Sequence, residues 1–258
     1  MSGGSSLTQD VYHRLRGDLL ACRLMPGQKL KIEELCVRFG AGSSAVREAL
    51  SRLAADGFVG LEPQRGFRVT PLSFAELRDL TNLRCEIEGL CIRDAIEHGG
   101  IDWETNLIAA LHRLSKTPER DPQDPQRYND AFALAHTAFH RAVVGACTSP
   151  WLLRIRDQLF AQHERYRWMS GPLASVKRDL EAEHSGIAKA AIDRRADEAV
   201  ERMTAHLQLN AKVILTSPLL AETPDGAFAG GGGRQARGSA DQARARHLAL
   251  VETADKKS

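Results

Sequence analysis

A short glycine-rich turn between two amphipathic helices is the feature that most constrains how the first part of this chain folds. The segment KIEELCVRFG has the apolar periodicity of a helix and ends at Gly40, and the segment SAVREALSRLAADG, which follows Gly42, has the same periodicity. An earlier helical segment precedes this pair, and two extended runs, FVGLEP and GFRVTP, follow it. Three helices followed by a β-hairpin, with a short turn between the second and third helices, is the element order of a winged helix-turn-helix.

Basic and small polar side chains lie on the elements of this unit that would face DNA. In a winged helix-turn-helix the third helix enters the major groove, and Arg47, one turn into that helix and opposite its apolar face, is placed for bidentate contact with guanine. The alternative is that such arginines are ordinary solvated charges, but their presence on both the third helix and the hairpin favours DNA binding. The predicted DNA contacts are Lys31, Ser43, Ser44, Arg47, Arg52, Arg65, Gly66 and Arg68.

The composition is that of an ordinary globular protein. The chain of 258 residues is 43% hydrophobic and 26% charged, and we expect neither a membrane span nor a secretory signal in it. Its five cysteines are an odd number without a Cys-x-x-Cys pair, which indicates reduced thiols and a cytoplasmic protein. Basic residues outnumber acidic ones in residues 1–73 and the reverse holds in 74–216, which agrees with a polyanionic partner for the first segment.

Three regions of the chain differ in pattern. Residues 1–73 hold the predicted DNA-binding domain, residues 74–216 show one helical period after another, and residues 217–258 are rich in Gly, Ala and Arg. We therefore expect a mainly α protein: a winged helix-turn-helix of three helices plus a β-hairpin, then an all-α antiparallel helical bundle, then a flexible tail. The predicted bundle helices are 74–98, 103–114, 126–148, 151–169, 174–192 and 195–216.

Four histidines fall at inward-facing positions of the predicted bundle. In the segment AHTAFH, His136 and His140 are four residues apart, so a helix places both on one face. His184 and His206 lie on the apolar stripes of two later helices. The alternative for each alone is a core histidine bonded to a backbone carbonyl. For the set, four buried imidazoles can share one divalent ion, and the ligand type and spacing favour a metal site.

The residues around these histidines argue against an enzyme. A zinc peptidase helix carries His-Glu-x-x-His with the glutamate as general base, whereas here Thr137 follows His136. The chain has no Gly-x-Ser-x-Gly elbow or glycine-rich phosphate loop, and an ion with four protein ligands is a poor hydrolytic centre. We therefore predict a sensing site. The rival interpretations are a metal-responsive regulator, a metal-dependent hydrolase with a DNA-binding appendage, and a structural zinc protein.

Three arginines of the bundle are candidates for binding a small carboxylate effector. Arg84 lies on the inward face of the first bundle helix and could hold a carboxylate by two parallel hydrogen bonds. Arg165 and Arg167, in the segment HERYRW, are further candidates. The alternative for each arginine is an ion pair with Glu88 or Glu164.

The first region resembles the DNA-binding domain of GntR-type bacterial regulators. The residues that carry the resemblance include Pro26-Gly27, VREAL at 46–50, RLAADGFV at 52–59 and RGFRV at 65–69. Members of the family often have Ser-Arg-Thr-Pro before the Val-Arg-Glu, whereas this chain has GSSA at 42–45, so its operator sequence cannot be taken from better-known members. The resemblance implies a homodimer that places two recognition helices on a palindromic operator.

The bundle is similar to the FCD ligand-binding domain of the FadR branch of these regulators. The segments HTAFHRAVV, LRCEIEGLCIRDAI and EHSGIAKAAIDRRADEAVERMTAHL carry the similarity. It implies that His140, His184 and His206 bind a metal together with His136, which stands where relatives often have Asp. A nitrogen ligand in place of that carboxylate favours zinc, or else nickel, over harder ions. HTAFH, ACTSPWLL and RYRW look most like the carbon-starvation repressors that respond to glutarate-like dicarboxylates, which implies a repressor released by such an effector.

Overall fold

The computed structural model of the chain describes residues 7–62, 64–124, 128–170 and 178–215, with the last two residues of the third range described in backbone only. The chain divides into two compact units, of which the first ends at Ser73 and the second begins at Phe74. Over the described ranges the protein is mainly helical, as the sequence predicts, with one small sheet in the first unit. The predicted flexible tail, residues 217–258, lies outside these ranges.

The first unit has the element order of a winged helix-turn-helix. Its fully buried core joins the apolar faces of the first and third helices, through Val11 and Leu15 on one side and Val46, Leu50 and Leu53 on the other. The three strands form an antiparallel sheet in the order β1-β3-β2. The elements are α1 (Leu7–Leu20), β1 (Lys29–Leu30), α2 (Ile32–Phe39), α3 (Ser43–Ala55), β2 (Val59–Glu62) and β3 (Gly66–Val69).

The sheet contains one strand more than the predicted hairpin. β1 pairs with β3, with Lys29 opposite Arg68 and Leu30 opposite Phe67. The chain reverses at Gly27, where φ is +75°, and the Gly27 amide donates to the carbonyl of Val69 at 3.0 Å. A strand of two residues is too short to show alternation, so hydrophobic periodicity cannot reveal it.

The turn between α2 and α3 is built by two glycines. Gly40 adopts the left-handed conformation, with φ of +62° and ψ of +37°, and its amide donates to the carbonyl of Cys36, which ends α2. Gly42 is extended and takes the N-cap position of α3 without a side-chain cap. Ser43 and Ser44 therefore do not cap the helix: they form its exposed first turn, where the backbone amides have no intrahelical partner.

The second unit consists of six helices over the described residues. Two of them, predicted as 126–148 and 174–192, begin later because side chains cap them further along the chain, and the first also ends earlier, at Val143. The Asn129 side chain accepts from the amide of Ala131 at 2.9 Å, and that of Asp179 accepts from Ala182 at 2.9 Å. Residues 125–127 and 171–177 lie outside the described ranges. The helices are α4 (Phe74–His98), α5 (Ile101–Ser115), α6 (Asp130–Val143), α7 (Pro150–Ser170), α8 (Leu180–Ile192) and α9 (Ala196–Leu215).

The apolar core of the second unit lies mainly among α4, α5, α6, α8 and α9. Phe139, Ile187 and Met203 are among its buried members, and the Trp103 indole links α5 to α6 by donating to the Ala142 carbonyl at 2.9 Å. The buried face of α7 is instead rich in charged and polar side chains. This contrast places a polar interior beside the apolar core, and the candidate site is in that interior.

Candidate metal centre and DNA-contact surface

The predicted DNA-contact residues of the first unit are all solvent-accessible, but their local pairing differs. Arg47, on the first turns of α3, and Arg65, at the hairpin tip, are exposed. Among the described residues neither side chain makes an ion pair or a hydrogen bond. Gly66, with φ of +85°, supplies the left-handed backbone that the tight hairpin turn requires. These two arginines are therefore available to a polyanion without first breaking an internal contact.

The other three basic residues of the set already have partners. Lys31 Nζ lies 2.6 Å from Glu34. Arg52 donates to Gln9 at 2.9 Å, and its guanidinium lies over the Tyr12 ring of α1 at 4.2 Å from the centroid. Arg68 donates to Glu62 at 2.7 Å and to the carbonyl of Gly27 at 2.6 Å, which ties the hairpin to the chain before β1.

The four predicted metal ligands converge in the second unit. His136 and His140 come from α6, His184 from α8 and His206 from α9, and all four are buried. One ring nitrogen of each lies within 4.8 Å of the corresponding nitrogens of the others. Helical periodicity explains the convergence, because each histidine occupies an apolar-stripe position of its helix and each stripe faces the same core.

The chemistry of these imidazoles fits a bound divalent ion. Burial first, and then the positive charge of the neighbouring groups, lowers the pKa of His136 and His140 well below the usual value and that of His184 to about 3. The neutral imidazole that results is the form that binds a metal. His136 Nε2 and His140 Nε2 are 3.1 Å apart, a spacing that two nitrogens on one ion also adopt.

Several buried nitrogens of the cluster have no partner within the described part of the chain. These atoms are His136 Nδ1, His140 Nδ1, His184 Nε2 and His206 Nε2. Buried polar atoms are almost always hydrogen-bonded or coordinated, so four such histidines in contact with one another indicate a missing group. A cation that accepts nitrogen lone pairs is the simplest group that satisfies the cluster.

A carboxylate orients one of the ligands, and the sequence analysis did not find it. Glu183 Oε2 lies 2.7 Å from His206 Nδ1, and the same carboxylate binds Arg178 through two contacts. Burial raises the pKa of Glu183, but the hydrogen bonds from His206 and Arg178 outweigh it and lower the pKa to about 2. The only sequence feature that points to Glu183 is its position directly before the predicted ligand His184. A side chain at that position can reach a ligand on a neighbouring helix, as Glu183 does with His206.

A cluster of buried arginines and glutamates lies next to the histidines. Arg84 is buried, as predicted, and lies 3.4 Å from Glu88, so the ion pair considered as its alternative is present. Arg156, which sequence analysis missed, donates to the same Glu88 at 3.1 and 3.2 Å and to the carbonyl of His140 at 3.0 Å. The guanidiniums of Arg84 and Arg156 lie over the Phe160 ring at 4.7 and 4.8 Å. Arg156 thereby connects the arginine cluster to the helix that carries His140.

The two later arginine candidates, Arg165 and Arg167, are also buried. Arg167 pairs with Glu164 and contacts the Tyr128 hydroxyl, and Arg165 donates to Gln162 at 3.0 Å. Burial raises the pKa of Glu164, opposed by the positive charges of nearby arginines. The buried charged side chains described in this unit are four arginines and two glutamates: Arg84, Arg156, Arg165, Arg167, Glu88 and Glu164. The interior therefore carries more positive than negative charge.

Comparison with known proteins identifies the class. Residues 7–69 match the family model described as bacterial regulatory proteins of the gntR family, and residues 79–209 match the FCD domain. This chain belongs to the GntR family of transcriptional regulators, in the group that carries an FCD domain, and is a DNA-binding regulator rather than an enzyme. Both the family resemblance and the non-enzymatic function predicted from the sequence are confirmed.

Particular relatives cover most of the chain. The uncharacterized HTH-type transcriptional regulator BphR of Paraburkholderia xenovorans is 34% identical over 215 residues, 83% of this chain and 88% of BphR. The HTH-type transcriptional repressor GlaR of Escherichia coli is 35% identical over 202 residues, 77% of this chain and 91% of GlaR. Among solved structures, E. coli McbR/YncC shares the fold with a TM-score of 0.68 and 20% identity, over 82% of this chain and 98% of that one. No helix in the described ranges is both long and apolar enough to cross a membrane.

Proposed function

We propose that this protein is a transcriptional repressor that a small carboxylate, in particular a dicarboxylate, releases from a palindromic operator. The effector binds beside a divalent ion held by His136, His140, His184 and His206, with zinc as the preferred ion and nickel as the second choice. The protein acts in the cytoplasm as a homodimer. The observation that carries the proposal is Arg156, which joins the buried arginine cluster to the carbonyl of His140.

DNA recognition is assigned to the exposed face of α3 and the hairpin tip. Arg47 reads a base edge by bidentate hydrogen bonds, and Arg65 contacts the backbone or the minor groove. The exposed amides at the start of α3, with Ser43 and Ser44, bind a phosphate. Lys31, Arg52 and Arg68 give weaker phosphate contacts, because each must share its charge with the internal partner described above.

The effector assignment follows from charge. Arg84 is fully buried and contacts Glu88 only at 3.4 Å, whereas Arg156 lies closer to the same carboxylate and also pairs with the half-buried Asp157 at 3.0 Å. A buried guanidinium with so weak a pairing is stabilised by an incoming anion. Arginines hold carboxylates by parallel hydrogen bonds, so Arg84 fits one carboxylate of the effector. Arg84 and Arg156 share Glu88, so an incoming carboxylate can take hydrogen bonds from Arg84 without leaving Glu88 unpaired. Support for a repressor comes from the printed names of relatives such as GlaR.

A divalent ion held by the four histidines would supply positive charge beside the effector. Side chains of this chain orient the effector and connect it to α6. Arg84 orients the effector, Glu88 positions Arg84 and Arg156, and Arg156 transmits any shift to the backbone of α6 at His140. The effector releases DNA only if it binds the DNA-incompetent arrangement more tightly than the DNA-competent one.

Metal analysis combined with a ligand screen tests this proposal. The purified full chain is expected to contain one zinc or nickel ion per protomer, and His140→Ala is expected to lose it. Small mono- and dicarboxylates are then screened by thermal shift on the metal-loaded protein. If no carboxylate raises the melting temperature and metal removal alone abolishes operator binding, the ion itself is the signal and the effector proposal is wrong.

A further inference from the structure

The second unit contains a fifth buried histidine that the metal centre does not use. His163, on α7, is 1% exposed, and both of its ring nitrogens are buried without a hydrogen-bond partner among the described residues. It does not belong to the set of four histidines whose ligand atoms lie within 4.8 Å of one another. Two unsatisfied nitrogens on one buried side chain are unusual, because native proteins pair nearly all such atoms.

The position of His163 relates it to both parts of the proposed site. On α7 it lies one turn from Phe160 and one turn from Arg167. The Phe160 ring contacts the guanidiniums of Arg84 and Arg156 and lies 5.8 Å from the ring of His140. The α7 stripe that carries His163 therefore faces the region between the arginine cluster and the histidine cluster.

The electrostatic surroundings agree with this placement. Burial lowers the pKa of His163 well below its usual value, and the positive charge of Arg84 and of His206 lowers it further. Arg84 belongs to α4 and His206 to α9, so residues of two other helices act on this one ring. A neutral imidazole offers one N–H donor and one lone pair, and here both are buried without a partner in the described part of the chain.

We propose that His163 binds the effector directly, donating a hydrogen bond to an oxygen other than those of the carboxylate that Arg84 holds. This inference rests on the proposed function and restricts the effector to acids that carry a second oxygen-bearing group. An oxygen of a second polar group accepts the hydrogen bond from the imidazole N–H, whereas an acid with only a hydrocarbon tail leaves that donor unpaired. A site built to hydrogen-bond a polar group rejects the analogue that lacks it, because the buried partner is then left without a bond. His163 is therefore assigned as the residue that selects against monocarboxylates.

The variant that tests this assignment is His163→Phe, with His112→Phe as a matched control on the exposed face of α5. Binding of glutarate and of pentanoate, which has the same chain length and a single carboxylate, is measured by calorimetry on the metal-loaded full chain. We expect the parent to bind glutarate more tightly than pentanoate. In His163→Phe the ratio of the two affinities should fall about tenfold, with pentanoate affinity and metal content unchanged. The effector-free variant is expected to melt no lower than the parent, since it lacks the two unpaired nitrogens.

The outcomes separate this inference from the proposed function. If neither glutarate, pentanoate nor another matched pair of acids binds the parent, the proposed function is wrong and His163 has no effector to bind. If the parent prefers the diacid and His163→Phe keeps the full preference, the effector site stands and the role of His163 is wrong. If His163→Phe does not fold, His163→Met is measured in the same way and the same comparison decides.

Discussion

Glu183 Oε2 lies 2.7 Å from Nδ1 of His206, and two further contacts to Arg178 hold the carboxylate in place. The imidazole must then carry its proton on Nδ1, which leaves the Nε2 lone pair directed at the histidine cluster. A carboxylate that orients a histidine in this way also raises its basicity as a metal ligand. A residue of α8 thus orients the ligand that α9 contributes to the ion.

The first prediction concerns this carboxylate. Glu183→Gln is expected to weaken zinc binding by about 10- to 100-fold, because the amide can bind His206 in either tautomer and no longer compensates Arg178. Competition with a chelator of known affinity measures the change. Glu181→Gln, an exposed residue two positions earlier on α8, serves as the control and should bind zinc like the parent. Equal zinc affinity of Glu183→Gln and the parent would contradict an orienting role.

The second prediction concerns DNA recognition. Arg47→Ala is expected to cost about 1–3 kcal/mol of operator affinity for each protomer, with little change in binding to unrelated DNA, because a bidentate base contact is lost. Fluorescence anisotropy with operator and unrelated duplexes at fixed salt checks both values. Arg113→Ala, an exposed arginine of α5, is the matched control for the loss of one positive charge. Parent-like operator affinity of Arg47→Ala would remove α3 as the reading element.

The third prediction concerns the buried ion pairs. Glu88 is 0% exposed and lies between Arg84 and Arg156, so Glu88→Gln leaves Arg84 without its carboxylate and Arg156 with Asp157 alone. The expected loss in free energy of unfolding is about 3–5 kcal/mol. Urea unfolding of the effector-free protein measures it, and Glu86→Gln, exposed on the same helix, should change stability little. If Glu88 positions the effector arginines, a saturating dicarboxylate should raise the free energy of unfolding of Glu88→Gln by less than it raises that of the parent.

The fourth prediction concerns pH. In the metal-free protein the folded-state pKa of His184 is lowered to about 3, and those of His136 and His140 are lowered well below the usual value, mainly by burial. The unfolded chain, with ordinary histidines of pKa about 6.5, binds more protons below that pH. The contribution of these histidines to the free energy of unfolding is therefore present in full above about pH 6.5. It falls as the pH decreases from about 6.5 towards 3, by up to about 1.4 kcal/mol for each histidine and each pH unit.

Thermal melts of the metal-free protein between pH 8 and pH 4 check this sign. The double variant His136→Phe with His140→Phe should lose a large part of the acid dependence, because two of the buried groups no longer titrate. An unchanged pH profile in that variant would mean that other groups control the acid stability.

Sequence periodicity predicted the parts of the site that lie on regular helix faces. The four histidines and Arg84 repeat with the apolar positions of their helices, so their burial and convergence could be read from the sequence. Arg156 and His163 lie on the same kind of stripe, but on a helix whose buried face is polar, and a buried arginine there has no apolar pattern to reveal it. The partner of Arg156, Glu88, is 68 positions away along the chain, and at that separation sequence spacing gives no information about contact.

Local side-chain chemistry explains why two helices begin later than predicted. Asn129 and Asp179 accept hydrogen bonds from the first turns of α6 and α8, and these caps set the starts that periodicity placed earlier. β1 depends on pairing with β3 and on the turn at Gly27, neither of which leaves a pattern in two residues. Long-range pairing and single capping contacts are the two kinds of information that periodicity lacks.

In the proposed mechanism, a carboxylate bound beside the histidine-held ion controls operator binding. The most direct test is the operator affinity of the zinc-loaded full chain, measured by fluorescence anisotropy with and without saturating dicarboxylate, in the parent and in Arg84→Ala. The acid is expected to weaken operator binding by at least about tenfold in the parent and to have little effect in Arg84→Ala. If an acid binds the parent and leaves its operator affinity unchanged, the effector does not control DNA binding and the proposed mechanism is wrong.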